Sequence, residues 1–541
     1  MVSKIFSLGA GLVLLSMVGG CQQAPENSDI ALAEGLPIAT LVAQLSQEEK
    51  SVGFQDETQS VSVPEGVAAF CGDCHQLPDP QDFERHLWYS KVRKGYEFYV
   101  RSRRSDLDVP EFAEVYRYYL DNAPESIQFP SPEEVDRAWA GRFTQTKLDW
   151  RDGEYILPSI AQLAWLPLMD GKSYLVASDM RDGSVSLIEP SRDSRLTRRS
   201  LLTRLASPAR FASGDLDQDG YQDLVVAELG SSYPFDHQYG KVVWLQYVPE
   251  EKRFQKHELQ KNLGRVADVA TLDADGDKDL DLVVAEFGHR QKGSLKILVN
   301  ELDEERAGFA SQTIQDLPGT VRLAVADWDQ DQELEFSALL SQEYETVQLF
   351  DSSEANSGAL FRLKGIYQGQ DLTWGSVDLV ACDLDSDGDT DFVYAHGDSF
   401  DNNHAQLHHG IDWLENKGEG QFEQRQISKI PGVYQVRACD IDNDGDLDLL
   451  AVANLPTFVE PRSLIESNPV SILLLEQGEL GEFLPHVLER GTPRYPTLEC
   501  GDFDRDGKLD FAVGAQLIGT DPAGSAAASL SRITVWWNNG D

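Results

Sequence analysis

Asp215-Leu216-Asp217-Gln218-Asp219-Gly220-Tyr221-Gln222-Asp223-Leu224-Val225-Val226-Ala227 sets four carboxylates into nine residues, then runs into an apolar, β-branched stretch. The same phrase returns at 273–281, 327–335, 383–391, 440–448 and 502–510, each time with acids at relative positions 1, 3, 5 and 9. Each copy is followed by mostly apolar residues, such as Leu282-Val283-Val284-Ala285. Repetition at a near-constant interval marks an architecture in which one supersecondary unit buries its apolar faces against the next.

A second marker runs between the acid stretches: Phe, four residues, then Ile or Leu. It appears as Phe254–Leu259, Phe309–Ile314, Phe361–Ile366, Phe422–Ile427 and Phe483–Leu488. Strands with polar ends precede several of these, including Trp413-Leu414-Glu415-Asn416 and the run from Leu295 to Asn300. The unit is an inner strand, the acid loop, a second strand, a third strand and a Phe-marked outer strand. Four-stranded units of this length arranged around an axis are blades of a β-propeller. A degenerate unit comes first, with Trp165 to Gly171 at the loop position, Tyr174-Leu175-Val176-Ala177 as second strand and Leu196–Leu201 as outer strand. That makes seven loops. The last unit stops on its third strand, Val535-Trp536-Trp537-Asn538-Asn539, while Phe143–Leu148 has outer-strand spacing and no blade of its own. Phe143–Leu148 is expected to complete the last blade and so remove exposed sheet edges. An open solenoid, the competing architecture, leaves that segment unexplained. The expected fold is an all-β seven-bladed propeller over 143–541, preceded by a small all-α domain over 61–130.

Composition agrees with a packed protein. The 541 residues are 41% hydrophobic, with 10 Trp, 17 Tyr and 23 Phe. A net charge of −45 argues against nucleic acid as a partner, because that binding needs clustered Lys and Arg.

Alternating acids in a tight loop can converge on a hard cation such as Ca²⁺, which takes about six to eight oxygen ligands. The residue at position 7 would add its carbonyl. An EF-hand is excluded, because position 12 is Val226, Val284, Ala338, Tyr394, Ala451 or Val513 where that motif needs a bidentate Glu. Solvated turns without metal are the plain alternative, but crowded carboxylates repel unless neutralised. The pattern resembles the FG-GAP or VCBS repeat, as in the calcium-bearing propellers of integrin α-subunits, over roughly 143–541. The resemblance implies Ca²⁺ ligation by Asp215, Asp217, Asp219 and Asp223; by Asp273, Asp275, Asp277 and Asp281; by Asp383, Asp385, Asp387 and Asp391; by Asp440, Asp442, Asp444 and Asp448; and by Asp502, Asp504, Asp506 and Asp510. Lys278 replaces the usual Gly at position 6 of its loop. Gln332 and Glu335 alter the 327 loop, which is therefore left out of the expected set. The first blade keeps only Asp170. The expected role of the cation is structural, clamping each turn.

The N-terminus reads as a targeting signal. Lys4, the apolar run Ile5 to Val18 and then Gly19-Gly20-Cys21 resemble a bacterial lipoprotein signal peptide over 1–21, with Cys21 as the lipid attachment site. An ordinary secretory signal with an incidental Cys is the alternative. Gln22 after the Cys leans towards the outer membrane in lipoprotein families. Residues 22–60 are polar and acidic and read as a tether. The expectation is an exported protein held to the cell envelope by its anchor, on the periplasmic or surface side.

Residues 61–130 read as three helices, over Val63–Leu77, Phe83–Arg103 and a third with Asp108 as cap and Pro110 in its first turn. The first carries Cys71-Gly72-Asp73-Cys74-His75. In an exported protein this spacing spells c-type haem attachment, with thioethers at Cys71 and Cys74 and His75 as proximal ligand. A disulfide or a zinc site are the alternatives. The segment resembles a cytochrome c domain. No Met lies between Met17 and Met169, so His86 is the favoured distal ligand, with Met169 or Met180 from the first blade, or no ligand, as the alternatives. Cys382, Cys439 and Cys500 read as core thiols beside their loops.

Six histidines, His237, His289, His396, His404, His408 and His409, fall in or beside loops on the face opposite the acid turns. Glu228, Glu286 and His396 share one repeat position there. These residues are candidates for a metal or substrate site, or for the surface on which the helical domain docks; exposed loop histidines are the plain alternative. No nucleophile elbow, phosphate loop or dinucleotide fingerprint is present. The functional expectation is electron transfer coupled to partner or substrate binding. An adhesion or binding module with an auxiliary haem, and a haem-dependent oxidoreductase, are the alternatives. A redox partner protein or an extracellular ligand is the expected partner.

Overall fold

A computed structural model describes residues 62–540, except 74–76, 130–133, 151–155, 290–291, 303–307, 343, 353–359, 370–372, 419–420, 479–480 and 518–529. The leader, Cys21, the tether, Cys74 and His75 lie outside the described residues.

The described strands form seven four-stranded antiparallel sheets. Six are continuous in sequence, over 160–204, 208–263, 266–315, 320–368, 376–429 and 433–490. These are blades one to six. The seventh joins three strands within 497–538 to Phe143–Leu148, which pairs antiparallel with the last strand from Phe143↔Asn538 to Leu148↔Ile533. Trp537 Nε1 adds a 2.8 Å bond to Thr146 Oγ1 across that seam. Seven blades and closure by the stray outer strand are as the repeat spacing predicts.

A blade sits between two others, so its middle strands are apolar on both faces. Asp223–Glu228, Asp281–Glu286 and Asp448–Ala453 are buried at every residue. Outer strands face solvent on one side, and Phe143–Leu148 accordingly mixes buried and exposed positions. The Phe marker has a packing reason. Phe143, Phe361 and Phe422 lie 5.1, 4.9 and 5.3 Å from Phe511, Phe336 and Phe392. Each of those partners is the first residue after the ninth position of an acid loop, so the marker pins the outer strand over the loop's exit.

The helical region has α1 (Glu65–Cys71), α2 (Trp88–Ser102) and α3 (Phe112–Asn122). α3 begins three residues later than expected. Glu111, not Asp108, is its N-cap. Pro110 drives Val109 towards extended backbone, and the Pro110 carbonyl accepts from Tyr96 Oη at 2.8 Å. The helices share a core of Val67, Phe83, Trp88, Val92, Val115 and Tyr119, with Trp88 stacked on Tyr119 at 3.9 Å. α4 (Arg137–Gly141) leads into the propeller. Asp136 caps it and also meets His486 Nδ1 of blade six at 2.9 Å. Phe83 packs edge-on against His404 of the propeller at 5.0 Å, and Phe129 packs against Ala405, Leu455, Val459 and Leu464. No described helix is long and apolar enough to cross a membrane.

Candidate metal centres

The acid loops share one backbone design. Position 4 is left-handed in Gln218, Gln330, Ser386, Asn443 and Arg505 (φ 57 to 65°) and in Gly276 (φ 83°). Position 6 is left-handed too, in Gly220, Gly388, Gly445 and Gly507 and equally in Lys278 (φ 79°) and Gln332 (φ 74°). Losing the glycine therefore leaves the turn intact. The first Asp holds the turn from inside: Asp215 accepts from the N–H groups of Asp219 (3.0 Å) and Gly220 (2.9 Å). Asp440 and Asp502 repeat this with Asp444 and Gly445, and with Asp506 and Gly507. The position 5 acids Asp219, Asp277, Asp387, Asp444 and Asp506 each accept from the N–H two residues on.

Carboxylate oxygens within 4.8 Å of one another gather in Asp215, Asp217 and Asp219; in Asp273, Asp275 and Asp281; in Asp383, Asp385 and Asp391; and in Asp440, Asp442 and Asp448. Asp327, Asp329, Asp331 and Glu335 do the same. The 327 loop, set aside in the sequence because of Gln332 and Glu335, thus converges four acids. In the 502 loop, Arg192 Nε lies 2.5 Å from Asp504 and Lys508 Nζ 3.3 Å from Asp506, so cationic side chains already reach those oxygens.

Several of these oxygens are buried with no hydrogen-bond partner: Oδ1 of Asp217, Asp385 and Asp442 at position 3, and Oδ1 of Asp279, Asp389 and Asp446 at position 7. The position 7 side chains were not expected to take part; only their carbonyls were. An acid at position 7 in four of the loops, Asp279, Glu333, Asp389 and Asp446, is the available signal. Burial, with neighbouring carboxylates, pushes Asp223, Asp391, Asp448 and Asp510 up to about 7 and Glu335 up to about 8. Unpaired oxygens and carboxyls held above their ordinary range are what a set of hard oxygen donors shows when nothing cationic faces it. The donors fit a cation such as Ca²⁺.

The ninth residue also ties blades together. Asp391 accepts from Leu384 N (3.1 Å) and from Asn416 N (2.7 Å). Asn416 Nδ2 then donates to the carbonyl of Trp328 in the previous blade's loop at 2.9 Å. Asn300, Gln477 and Asn538 make the same reach, to Leu216, Leu384 and Ile441. The polar strand ends seen in the sequence are therefore clamps between blades.

A second set of residues was not foreseen. Five places before the first Asp of each loop, the inner strands carry Arg210, Asp268, Arg322, Asp378, Gln435 and Thr497, and Gln162 stands at the matching register in blade one. Their side chains meet at the axis. Asp378 lies 2.7 Å from Arg322 Nε, 3.7 Å from Arg210 Nη2 and 3.6 Å from Arg437 Nη1. Gln162, Asp268, Asp378, Gln435 and Thr497 each accept from a backbone N–H of the following blade: Phe211, Leu323, Val436, Leu498 and Leu163. The channel is thus filled by a charge-compensated, hydrogen-bonded ring.

The histidines do not form an open face. His396 and His409 are fully buried, His404 is 2% exposed and His237 7%. Trp374 is sandwiched between His396 (4.1 Å) and His408 (5.1 Å). Glu228 and Glu286, at the register of His396, accept from the N–H groups of Ala206 and Gly264 and so anchor strand entries. Of the readings open in the sequence, His404 meets the docking one through Phe83. In the helical region, Cys71 ends α1 half-buried, and burial pushes its thiol up to about 11. His86 is largely exposed, 3.5 Å from Glu84.

The fold and these loops define a seven-bladed propeller built on a repeated acid loop. The family of the FG-GAP-like repeat matches residues 383–451, from the acid loop of blade five into the second strand of blade six. No curated protein matches the chain.

Proposed function

We propose that this is an exported, lipid-anchored binding propeller, stapled by Ca²⁺ at its acid loops and carrying a c-type haem for electron transfer to or from a bound partner. The observation that carries the calcium reading is the set of buried, unpartnered carboxylate oxygens at Asp217, Asp385 and Asp442, repeated from blade to blade. Asp215 to Asp223 and their equivalents would supply the oxygen ligands, and the ion would relieve the repulsion that raises these carboxyls. The 327 loop joins the set through Asp327, Asp329, Asp331 and Glu335.

The haem reading rests on Cys71-Gly72-Asp73-Cys74-His75 and on the aromatic core beside Cys71. Cys71 and Cys74 would carry the thioethers and His75 would be the proximal ligand. When bound, the group would supply one-electron transfer. The exposed setting of His86 favours an iron without that residue as sixth ligand. Cys21 would carry the lipid. The alternative, an adhesion module in which the propeller alone acts, shares the calcium part and differs in the haem.

Absorption spectra of the purified chain, oxidised, reduced and with carbon monoxide, separate the two. A haem band supports electron transfer, and its absence leaves the binding module. Metal analysis after dialysis tests the loops directly, and a chain without bound calcium would refute the staple.

A further inference from the structure

The inner strands of the last two blades bring two cysteines together. Cys439 ends the strand Val433–Cys439 of blade six, and Cys500 lies in Thr497–Gly501 of blade seven. Cys439 stands one residue before its loop and Cys500 two before. Successive strand residues point to opposite faces, so this one-residue offset turns the two side chains towards each other across the gap between blades. Cys439 is 6% exposed in a cluster with Ile441, Leu450, Leu498 and Phe511, and Cys500 packs on that cluster. Proximity to Cys439, with burial, holds the Cys500 thiol well above its ordinary range, and neither cysteine is in a disulfide. Cys382, before the loop of blade five, faces no third cysteine; it packs in the same cluster as Ala438.

We propose that Cys439 and Cys500 form a disulfide that ties blade seven, the blade completed by Phe143–Leu148, to blade six. The inference goes beyond the function proposed above and leans on the export reading only for the oxidant in the cell. A disulfide, either a small-molecule one or that of a thiol oxidant enzyme, is the co-reactant. Cys500, the less buried thiol, loses its proton and attacks one sulphur of the oxidant, releasing the first thiol. Cys439 loses its proton and attacks Cys500 in the mixed disulfide, releasing the second. Two protein thiols lose two protons and two electrons, and the oxidant disulfide is reduced to two thiols. Burial opposes thiolate formation, so the bond is made as the chain folds and is then shielded from reductant. It links residues far apart in sequence, which restricts the unfolded chain.

The test is refolding of the full, reduced chain in a glutathione redox buffer, followed by alkylation, digestion and mass spectrometry. The expected result is a linked peptide pair containing Cys439 and Cys500, lighter by two hydrogens, and a melting midpoint at least about 3 °C above that of the reduced protein. A Cys439→Ala/Cys500→Ala variant should melt at one temperature with or without reductant. Complete alkylation of both cysteines after refolding, with no linked peptide, would overturn the proposal. If the refolded chain is linked but the chain isolated from its cells is reduced, the disulfide stands and the export reading fails.

Discussion

Arg322 Nε lies 2.7 Å from Asp378 Oδ1 at the axis of the propeller, and Asp378 is fully buried. Arg210 and Arg437 flank the same carboxylate, while Asp268 also pairs with Arg322 and Glu499 with Arg437, so the charges of three blades are balanced around Asp378. Two arginines of the ring are buried and Arg437 nearly so, which leaves them no solvent to turn to.

Removing that acid should therefore be costly. Asp378→Ala leaves Arg210 without its ion pair, takes one of two carboxylates from Arg322 and Arg437, which keep Asp268 and Glu499, and strands the Val436 N–H; the expected loss is roughly 3–5 kcal/mol, the range for breaking a buried pair from one side. Urea unfolding of the two proteins checks this. A loss under about 1 kcal/mol would show that the ring fills space without holding blades together.

The clamp between blades has a smaller, local cost. Asn416→Ala removes the donor to the Trp328 and Thr390 carbonyls. About 1–3 kcal/mol of stability should be lost. Asn416→Gln, whose amide is one methylene longer, should recover part of it. Equal stability of all three proteins would mean that water replaces the clamp.

Chelation should matter more at high pH than at low. Without a cation, Asp223, Asp391, Asp448 and Asp510 are held up to about 7 in the folded chain, against about 3.9 when unfolded. A folded pKa above the unfolded one gives stability that is complete below about pH 4 and lost as pH rises through about 7. In EDTA the melting midpoint should thus fall between pH 5.5 and pH 8, and calcium should restore more at pH 8. A chelator effect that is equal at both pH values would contradict this.

The buried histidines act in the opposite direction. Burial holds His404 down to about 4 and His409 well below its ordinary value. His409 Nδ1 accepts from Gln406 N, so the proton sits on Nε2, which faces the Thr373 carbonyl, and the ring is neutral. A folded histidine pKa below the unfolded 6.5 gives stability that is present above pH 6.5 and lost as pH falls towards 4. His404→Gln should reduce the stability lost between pH 6.5 and 4.5 by on the order of 2 kcal/mol relative to wild type. Parallel pH profiles for the two proteins would exclude this role.

The repeat, the number of blades and the segment that closes the ring are all legible in the amino-acid sequence. Those features are local: an acid loop must be followed by a strand buried on both faces, and a Phe at fixed spacing must land beside the loop's exit. Phe143–Leu148 could be assigned because the last unit lacked one strand and the chain held one to spare. The sequence also showed which loops carry acids, although Gln332 and Glu335 set the 327 loop apart; the structure shows that loop, and the 273 loop with Lys278, turning the same way as the others. What meets across blades emerges from the packed fold. The ring around Asp378 varies from Gln to Arg to Asp to Thr, so no one residue type holds through every blade, and the constant offset from the loops was its one trace. Its stability depends on charges summed around the axis, which no single repeat contains. The same holds for Cys439 and Cys500 and for the histidines around Trp374, whose burial follows from neighbouring strands and loops and not from their own sequence.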